Sequence, residues 1–268
     1  MPIARVRVTP RSGWPGSYAG SRLLRRTARR FAQAIRYGKL SGVQGRSDPH
    51  PPEGHASSGE LERVAGRWQA KGSGEHYRDA RFRPGHRDAD GKLVRKLIRA
   101  HASRPPRRIL DAPCGSGRLS RPLFELGASR VLGLDASAEM LRARPEGLDV
   151  VLGRIERLPF RSASFDLVVA CRLLHHVNDE DASVALLTEL LRVCSGLLVF
   201  SFWEACSWPG LRRQLGWSSP DRAGRVLISS ARLETRLRLA GGRVLGRCSR
   251  GGWFSTQVFV AAEPIAIR

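Results

Sequence analysis

Cysteine is scarce in this sequence and follows no spacing typical of a cross-linked or metal-bound fold. The chain of 268 residues contains five cysteines, and no two of them form a Cys-x-x-Cys pair. Disulfide-rich secreted domains and zinc sites depend on such spacings. The sequence therefore predicts no disulfide framework and no metal site, and a reducing cytoplasm is the expected location.

Lysine is almost missing as well. Only Lys39, Lys71, Lys92 and Lys96 are lysines among the 46 lysine and arginine residues, although the net charge is +22. Such an excess of positive charge ordinarily indicates a nucleic acid or an anionic membrane as partner. A strong bias towards arginine is also what a GC-rich genome produces, so the charge alone is weak support for either partner.

No apolar run approaches the length of about 18 residues that a membrane-spanning helix needs. The best candidate, residues 197–203, is far too short, and the first residues lack the apolar segment of a secretory signal peptide. With 41% apolar residues the chain can nevertheless bury a full core. We therefore expect a soluble protein.

Residues 1–60 differ in composition from the rest of the chain and are rich in glycine, proline, serine and arginine. Within them Leu24, Ala28, Phe31 and Ile35 recur at helical spacing among arginines, which describes a basic amphipathic helix. Contact with an anionic membrane or a polyanion is one interpretation. A solvated arm and an organellar transit peptide have the same composition, so we expect a largely disordered basic arm whose role stays open.

Short apolar runs alternate with helical periodicity in the remainder of the chain. Helices are predicted near 61–69, 93–101, 118–126, 137–144, 179–193 and 230–239. Strands are predicted near 107–111, 130–134, 148–152, 165–170, 196–202, 243–248 and 255–262. This alternation predicts an α/β fold, a Rossmann-like doubly wound seven-stranded sheet that is mostly parallel with an antiparallel last strand. Residues 105–268 would form this domain, behind a helical lid or cap segment at 61–104.

The stretch LDAPCGSG at 110–117 breaks a predicted strand into a glycine-containing turn ahead of a helix. Glycine adopts a positive φ and lets a ligand lie against the backbone, and the following helix start offers free N–H groups. Asp135 ends the next strand, where a carboxylate accepts hydrogen bonds from both hydroxyls of a ribose. A nucleotide-like ligand is predicted, although Ser120 replaces the third glycine of the dinucleotide pattern.

In combination the motifs resemble class I S-adenosylmethionine (SAM)-dependent methyltransferases. LDAPCGSG at 110–117 is similar to the first motif of that family, GLDASAEML at 133–141 to its ribose-binding stretch, and RLPFRSASFDLVV at 157–169 to the approach to its fourth strand. RLLHHV at 172–177 resembles the segment after that strand in the small-molecule and quinone-type, methyltransferase type 11-like branch. The resemblance covers roughly residues 75–262 and implies SAM as the cofactor.

The resemblance also implies which residues bind the cofactor. Asp135 and the adjacent Ala136 would meet the ribose, Met140 and Ile155 would lie against the faces of adenine, and Cys171 would flank the cofactor. The loop at the end of the first strand would hold the methionine part. The loop residues concerned are Asp111, Ala112, Cys114, Gly115 and Gly117.

Two positions depart from the family's pattern. Pro113 replaces the usual first glycine and fixes φ near about −65°, which is tolerable where no positive φ is needed. Arg154 replaces an acid that often meets the amino group of adenine, and a guanidinium cannot accept that hydrogen bond. Adenine recognition would then depend on backbone groups.

His175 and His176 follow the fourth predicted strand, next to the place where an acceptor would lie. Methyl transfer from a sulfonium needs mainly proximity and in-line alignment, together with a base where the nucleophile is protonated. The two histidines are therefore the candidate catalytic residues. Simple packing of both rings is the alternative that the sequence leaves open.

The sequence argues against methylation of nucleic-acid bases. Cys171 lacks the preceding proline of pyrimidine C5-methyltransferases, and ACRL at 170–173 stands where amino-directed nucleic-acid methyltransferases carry an Asn/Asp-Pro-Pro-aromatic element. We therefore expect a small organic or lipid-like acceptor. The alternatives are an RNA methyltransferase that uses the basic arm, an NAD-dependent oxidoreductase and a SAM-binding protein without catalysis.

Overall fold

The computed structural model describes residues 89–218 and 224–265, and every structural statement below concerns these ranges. The predicted basic arm at 1–60, the predicted helix at 61–69 and most of the lid segment at 61–104 lie outside the described residues. Within the described ranges, no helix combines the length and the apolarity that a bilayer crossing requires.

Helices and strands alternate along the described chain, and they are numbered here from the first one described. The helices are α1 (Ala89–His101), α2 (Ser120–Phe124), α3 (Ala138–Arg142), α4 (Glu180–Val193), α5 (Trp208–Gln214) and α6 (Ser230–Leu239). The strands are β1 (Arg108–Asp111), β2 (Arg130–Asp135), β3 (Asp149–Leu152), β4 (Phe165–Ala170), β5 (Cys194–Trp203), β6 (Gly242–Ser249) and β7 (Gln257–Pro264). Single 3₁₀ turns occur at Ile155–Arg157, Leu174–His176 and Gly252–Phe254.

The seven strands form one sheet in the order β3-β2-β1-β4-β5-β7-β6. The pairs among β1 to β5 are parallel, whereas β7 runs antiparallel to both β5 and β6. The predicted Rossmann-like, mostly parallel sheet with an antiparallel last strand is confirmed. The last strand inserts between β5 and β6, so the edge of the sheet on this side is β6.

Both faces of the sheet are buried because helices cover each of them. Neighbouring residues of β1 illustrate this arrangement, since Ile109 packs into the cluster that contains α1 and α2, whereas Leu110 packs into the cluster that contains α4 and α6. Neither side chain is exposed. Burial on both faces of the strand explains why the adjacent residues Ile109 and Leu110 are both apolar, although they point to opposite faces.

Helix α5 was not predicted from the sequence, which reads as an irregular stretch from 203 to 228. The hydroxyl of Ser207 accepts a hydrogen bond from the backbone N–H of Gly210 and so caps the helix start. Pro209 lies in the first turn, where its missing N–H has no partner to lose. The Pro-Gly pair that indicates a turn in the sequence is therefore the first turn of a helix.

The order of the strands reverses next to β1, because β2 pairs on one side of it and β4 on the other. In open α/β sheets a crevice forms at such a switch point, outside the carboxyl ends of the strands. Asp111 ends β1, Asp135 ends β2 and Cys171 follows β4. The topology thus brings the predicted site residues to one edge of the sheet.

Candidate active site

The carboxylate of Asp135 links the ends of β1 and β2. Its Oδ2 atom accepts a hydrogen bond from the backbone N–H of Gly115 at 2.8 Å, and its Oδ1 atom accepts one from the N–H of Ser137 at 2.9 Å. Burial raises the pKa of this carboxyl, and the backbone N–H donors of Ser137 and Gly115 partly oppose that rise. A carboxylate has about four acceptor positions, so Asp135 retains the capacity to accept from ligand hydroxyls.

The loop between β1 and α2 needs its two glycines for different reasons. Gly115 has a φ of +55°, and a Cβ at that position would lie 3.4 Å from the methyl carbon of Met140. Met140 therefore lies directly beside the loop, as its predicted role requires. Gly117 has a φ of +75°, and a Cβ there would lie 2.6 Å from Cδ of Pro145. Pro113, which replaces the usual first glycine of the family, is not among the residues with a positive φ. The loop therefore accepts a proline at that position.

Asp111 is a buried carboxyl whose hydrogen bonding is incomplete. Its side chain is 1% exposed, and Oδ1 has no hydrogen-bond partner among the described residues. Burial raises its pKa to about 7, with Arg118 lowering the pKa and Asp135 raising it. The hydroxyl of Ser116, in the same loop, is also buried without a partner in the described chain. Buried polar groups in this state favour a polar ligand that would satisfy them, and the ammonium group of SAM could pair with the carboxylate of Asp111.

The remaining predicted loop residues mainly hold the loop in place. The backbone N–H of Ala112 donates to the carbonyl of Val169 at 2.9 Å, and that of Cys114 donates to the carbonyl of Leu134 at the same distance. These bonds tie the loop to β4 and to β2. Burial raises the pKa of the Cys114 thiol well above its ordinary value, so this side chain stays neutral.

Three further residues with predicted cofactor contacts differ in burial. Ile155 is 6% exposed and begins the 3₁₀ turn after β3, whereas Ala136 is only half-buried between Asp135 and the helix cap. Cys171 is buried in the cluster under α1, and burial raises the pKa of its thiol. Arg154 pairs with the carboxylate of Glu156 at 2.8 Å. The binding roles of these residues stay predictions.

The two histidines lie in different surroundings. The ring of His175 is 3% exposed and stacks on the ring of Trp203, with 4.9 Å between the centroids and 13° between the planes. Burial, together with the positive charges of His176, Arg172 and Arg225, lowers the pKa of His175 to about 2. His175 is thus a neutral and weak base at neutral pH. His176 is only half-buried, and its ring centroid is 4.2 Å from that of His175.

A group of charged residues that sequence reasoning missed lies at the same edge. Arg172 follows β4 and has a φ of +63°, and its backbone N–H donates to the hydroxyl of Ser201 at 2.9 Å. Its Nε atom lies 3.2 Å from Oδ2 of Asp90, and Nη1 of Arg118 lies 3.0 Å from the same oxygen. The available sequence signal was an arginine directly after the glycine loop and another directly after β4.

Metal ligands do not cluster in the described ranges, where no group of three or more His, Cys, Asp or Glu side chains is placed to hold an ion. This edge carries carboxylates, guanidinium groups, imidazoles and backbone N–H groups. Such a set binds and orients organic ligands.

Residues 110–200 match the sequence family described as "Methyltransferase domain". The chain is 34% identical over 131 residues to a ubiquinone biosynthesis O-methyltransferase from Chelativorans sp. strain BNC1, over 42% of this chain and 51% of that protein. It is 33% identical over 148 residues to a malonyl-[acyl-carrier protein] O-methyltransferase from Serratia marcescens, over 51% of this chain and 55% of that protein. The chain thus spans about half the length of the curated relatives it matches.

A solved structure of the magnesium protoporphyrin IX methyltransferase from Synechocystis PCC 6803, with bound S-adenosylhomocysteine (SAH), is similar in fold. It aligns with a TM-score of 0.57 and 18% identity, over 77% of this chain and 100% of that one. At this identity the likeness concerns the fold alone. The family match of residues 110–200 confirms the resemblance to SAM-dependent methyltransferases, and the structural likeness confirms the fold.

Proposed function

We propose that this protein is a class I SAM-dependent methyltransferase that acts on a small organic or lipid-like acceptor. The main observation is the hydrogen bond that links the ends of β1 and β2, which Asp135 accepts from the backbone N–H of Gly115. Asp111, at the end of β1, has a carboxyl oxygen without a hydrogen-bond partner among the described residues. This arrangement offers acceptors for ribose hydroxyls and a carboxylate for a ligand ammonium group at one switch point. The O-methyltransferases among its relatives support the same function.

The residues of the chain would contribute mainly binding and alignment. The bound cofactor supplies a methyl group that is already activated on a sulfonium. Asp135 orients the ribose, Met140 lies beside the loop where an adenosyl group would pack, and Asp111 carries the charge that an ammonium group would pair with. Held in this way, the methyl group needs only an acceptor in line and the exclusion of water.

His176 is the better candidate for a base where the acceptor must lose a proton. A general base needs a pKa near the working pH and access to the acceptor. His175 meets neither condition, because its ring is buried against Trp203 and its pKa is lowered to about 2. His176 is half-buried beside it, at the carboxyl edge where β4 ends.

Titration calorimetry tests the cofactor half of the proposal. SAH should bind to the full chain at one site, and NADH should not. Binding of NADH in place of SAH would instead support the oxidoreductase alternative. Binding of SAH without any methyl transfer would support a SAM-binding protein without catalysis.

Transfer of radiolabelled methyl groups from SAM into fractionated cell extract tests the acceptor half. Label in the organic-soluble fraction that is insensitive to salt is the expected result. Label in RNA that falls as salt rises, as phosphate contacts require, would overturn the small-molecule proposal in favour of the RNA alternative.

The variant His176→Gln tests the role of the base. It should lower the rate of methyl transfer by about 10²-fold or more where the acceptor atom must lose a proton.

A further inference from the structure

A cavity of about 190 Å³ opens at the carboxyl edge of the sheet, next to the end of β4. Arg172 reaches it from the end of β4, Arg118 from the end of the glycine loop and Asp90 from the first turn of α1. Arg250, in the connection between β6 and β7, and Gln257, the first residue of β7, reach it from the hairpin that these two strands form. Four separate parts of the fold therefore contribute polar side chains to one small space.

Among the described residues that line this cavity, basic side chains outnumber acidic ones. They contribute three guanidinium groups, those of Arg118, Arg172 and Arg250, and one carboxylate, that of Asp90. Asp90 pairs with Arg118 at 3.0 Å and with Arg172 at 3.2 Å. The side chains of Arg118 and Arg172 are only 12% and 27% exposed, so water screens their charge poorly. A second anion in the cavity would offset the cost of burying two cations against one carboxylate.

Gln257, one of the residues that line the cavity, has an amide donor without an acceptor among the described residues. The Oε1 atom of Gln257 accepts a hydrogen bond from Nη2 of Arg172 at 3.3 Å, which fixes the orientation of the amide. The Nε2 atom of the same amide is buried and has no hydrogen-bond partner among the described residues. A buried donor without an acceptor is rare in folded proteins. It is the second independent indication that an oxyanion completes this cavity.

The backbone of Arg172 is held in a conformation that the residue does not favour. Its φ of +63° is left-handed, and the hydroxyl of Ser201 fixes it by accepting from its N–H. A non-glycine residue in this region is strained, and such strain is retained where the position of the side chain matters. The turn directs the guanidinium of Arg172 back over the sheet edge towards Asp90 and Gln257.

The cavity is adjacent to the predicted cofactor loop. Arg118 lines the cavity and directly follows Gly117 of the loop, and the buried Cys171 directly precedes Arg172. Arg118 itself interacts electrostatically with Asp111. An anionic group bound in the cavity would thus anchor a molecule whose other end reaches the site of methyl transfer.

We propose that this cavity binds an anionic oxygen group, a carboxylate or a phosphate, of the methyl acceptor. The planar fork of an arginine side chain pairs with such a group through two hydrogen bonds, and the amide of Gln257 would add a further donor. The inference rests on the proposed methyltransferase function and narrows its acceptor class to anionic molecules. The same oxyanion chemistry could come from the carboxylate of the cofactor's methionine part, and the experiment separates these sources.

The test measures binding of three probes to the full chain saturated with SAH. Benzoate carries a carboxylate, phenyl phosphate carries a phosphate, and benzamide has the shape of benzoate without its charge. We expect benzoate or phenyl phosphate to bind at least about tenfold more tightly than benzamide. Equal affinity of all three probes, or no binding of either anion, would overturn the proposal.

Variants assign the binding to the cavity. Arg172→Gln and Arg250→Gln should each reduce the preference for the anionic probe by about threefold to tenfold, and Arg250 is exposed, so its replacement does not endanger folding. Arg130→Gln is the matched control, because Arg130 begins β2 at the opposite edge of the sheet. An unchanged preference in both cavity variants would contradict the proposal.

SAH and 5′-methylthioadenosine, which lacks the amino-acid part, separate the two sources of an oxyanion. In the proposed arrangement Arg172→Gln leaves the affinity for both ligands within about twofold of the wild type. A loss of at least about tenfold for SAH alone would assign the cavity to the cofactor's carboxylate and overturn the proposal. Failure of SAH to bind the wild-type chain would instead overturn the proposed function, while the probes still report on the cavity.

Discussion

The Oδ2 atom of Asp135 accepts a hydrogen bond from the backbone N–H of Gly115 at 2.8 Å, which joins the ends of two neighbouring parallel strands across the switch point of the sheet. Its other oxygen accepts from Ser137, the residue that caps α3. One carboxylate therefore fixes the glycine loop, the strand end and the helix start together. This fixed geometry is what a ribose-binding carboxylate requires, because no reorganisation is then needed on binding.

Replacement of Asp135 should weaken cofactor binding. We expect Asp135→Ala to reduce the affinity for SAM or SAH by ~1–3 kcal/mol, because charge-assisted hydrogen bonds to the ligand are lost. Asp149→Ala is the control, since Asp149 is an exposed residue at the start of β3. Titration calorimetry measures both affinities. Equal binding by wild type and Asp135→Ala would remove Asp135 from this role.

Gly117→Ala and Gly127→Ala form a matched pair that separates backbone strain from crowding. Both glycines have a φ near +75°, but a Cβ at Gly127 would meet nothing within 4 Å, whereas one at Gly117 would lie 2.6 Å from Pro145. The strain alone should cost Gly127→Ala about 1–2 kcal/mol of stability. Gly117→Ala should lose at least about 1 kcal/mol more, measured by urea unfolding. Equal losses of unfolding free energy in the two variants would mean that Pro145 moves aside without destabilising the fold.

Cofactor binding should depend on pH through Asp111. Burial raises the pKa of this carboxyl to about 7, so it is partly protonated in the free protein near neutrality. A ligand ammonium group favours the ionised form, so binding should release a proton and the affinity for SAH should rise several-fold from about pH 6 to about pH 8. Calorimetry in buffers of different ionisation enthalpy measures the proton. Asp111→Asn should abolish the release, and a flat wild-type profile would refute the assignment.

Stability should fall in mild acid because of His175. Its pKa is about 2 in the folded chain, against an ordinary value of 6.5. Between these two pH values the unfolded state binds a proton at His175 and the folded state does not. The stabilisation is complete above about pH 6.5 and is lost progressively as the pH falls towards 2, at up to ~1.4 kcal/mol per unit. Urea unfolding at about pH 7.5 and pH 5.5 should show a loss about 1 kcal/mol smaller in His175→Phe than in the wild type. Identical losses would place His175 in contact with solvent.

Most of the fold could be predicted because parallel strands buried on both faces leave a strong apolar signal. The pattern placed β4 at 165–170 and α6 at 230–239 where the structure has them. It could not place β7 between β5 and β6, since pairing order is a tertiary property that no local pattern encodes. It missed α5, because Pro209 and Gly210 favour a turn unless Ser207 caps a helix in front of them.

Site residues could be predicted where their position at a strand end or in a turn requires a particular residue type. Asp111, Gly115 and Asp135 could be found in this way, and the structure brings their backbone and side chains together. Arg172 could not, because its importance comes from a partner, Asp90, that is 82 residues away in the chain. The difference between His175 and His176 likewise depends on Trp203, which lies near His175 only after β5 has formed.

The insertion of β7 between β5 and β6 has a consequence for the synthesis of the chain. Strands β1 to β5 can pair as they emerge from the ribosome, but β6 has no neighbour in the sheet until β7 has been made. During that interval β5 presents an open strand edge, and such edges pair with other chains. Pairing of β7 with β5, which joins Phe200 to Val260, covers that edge. A chain truncated before residue 257 should therefore aggregate rather than fold to a smaller sheet, so the synthesis of β7 is the step after which β5 no longer offers an open edge to other chains.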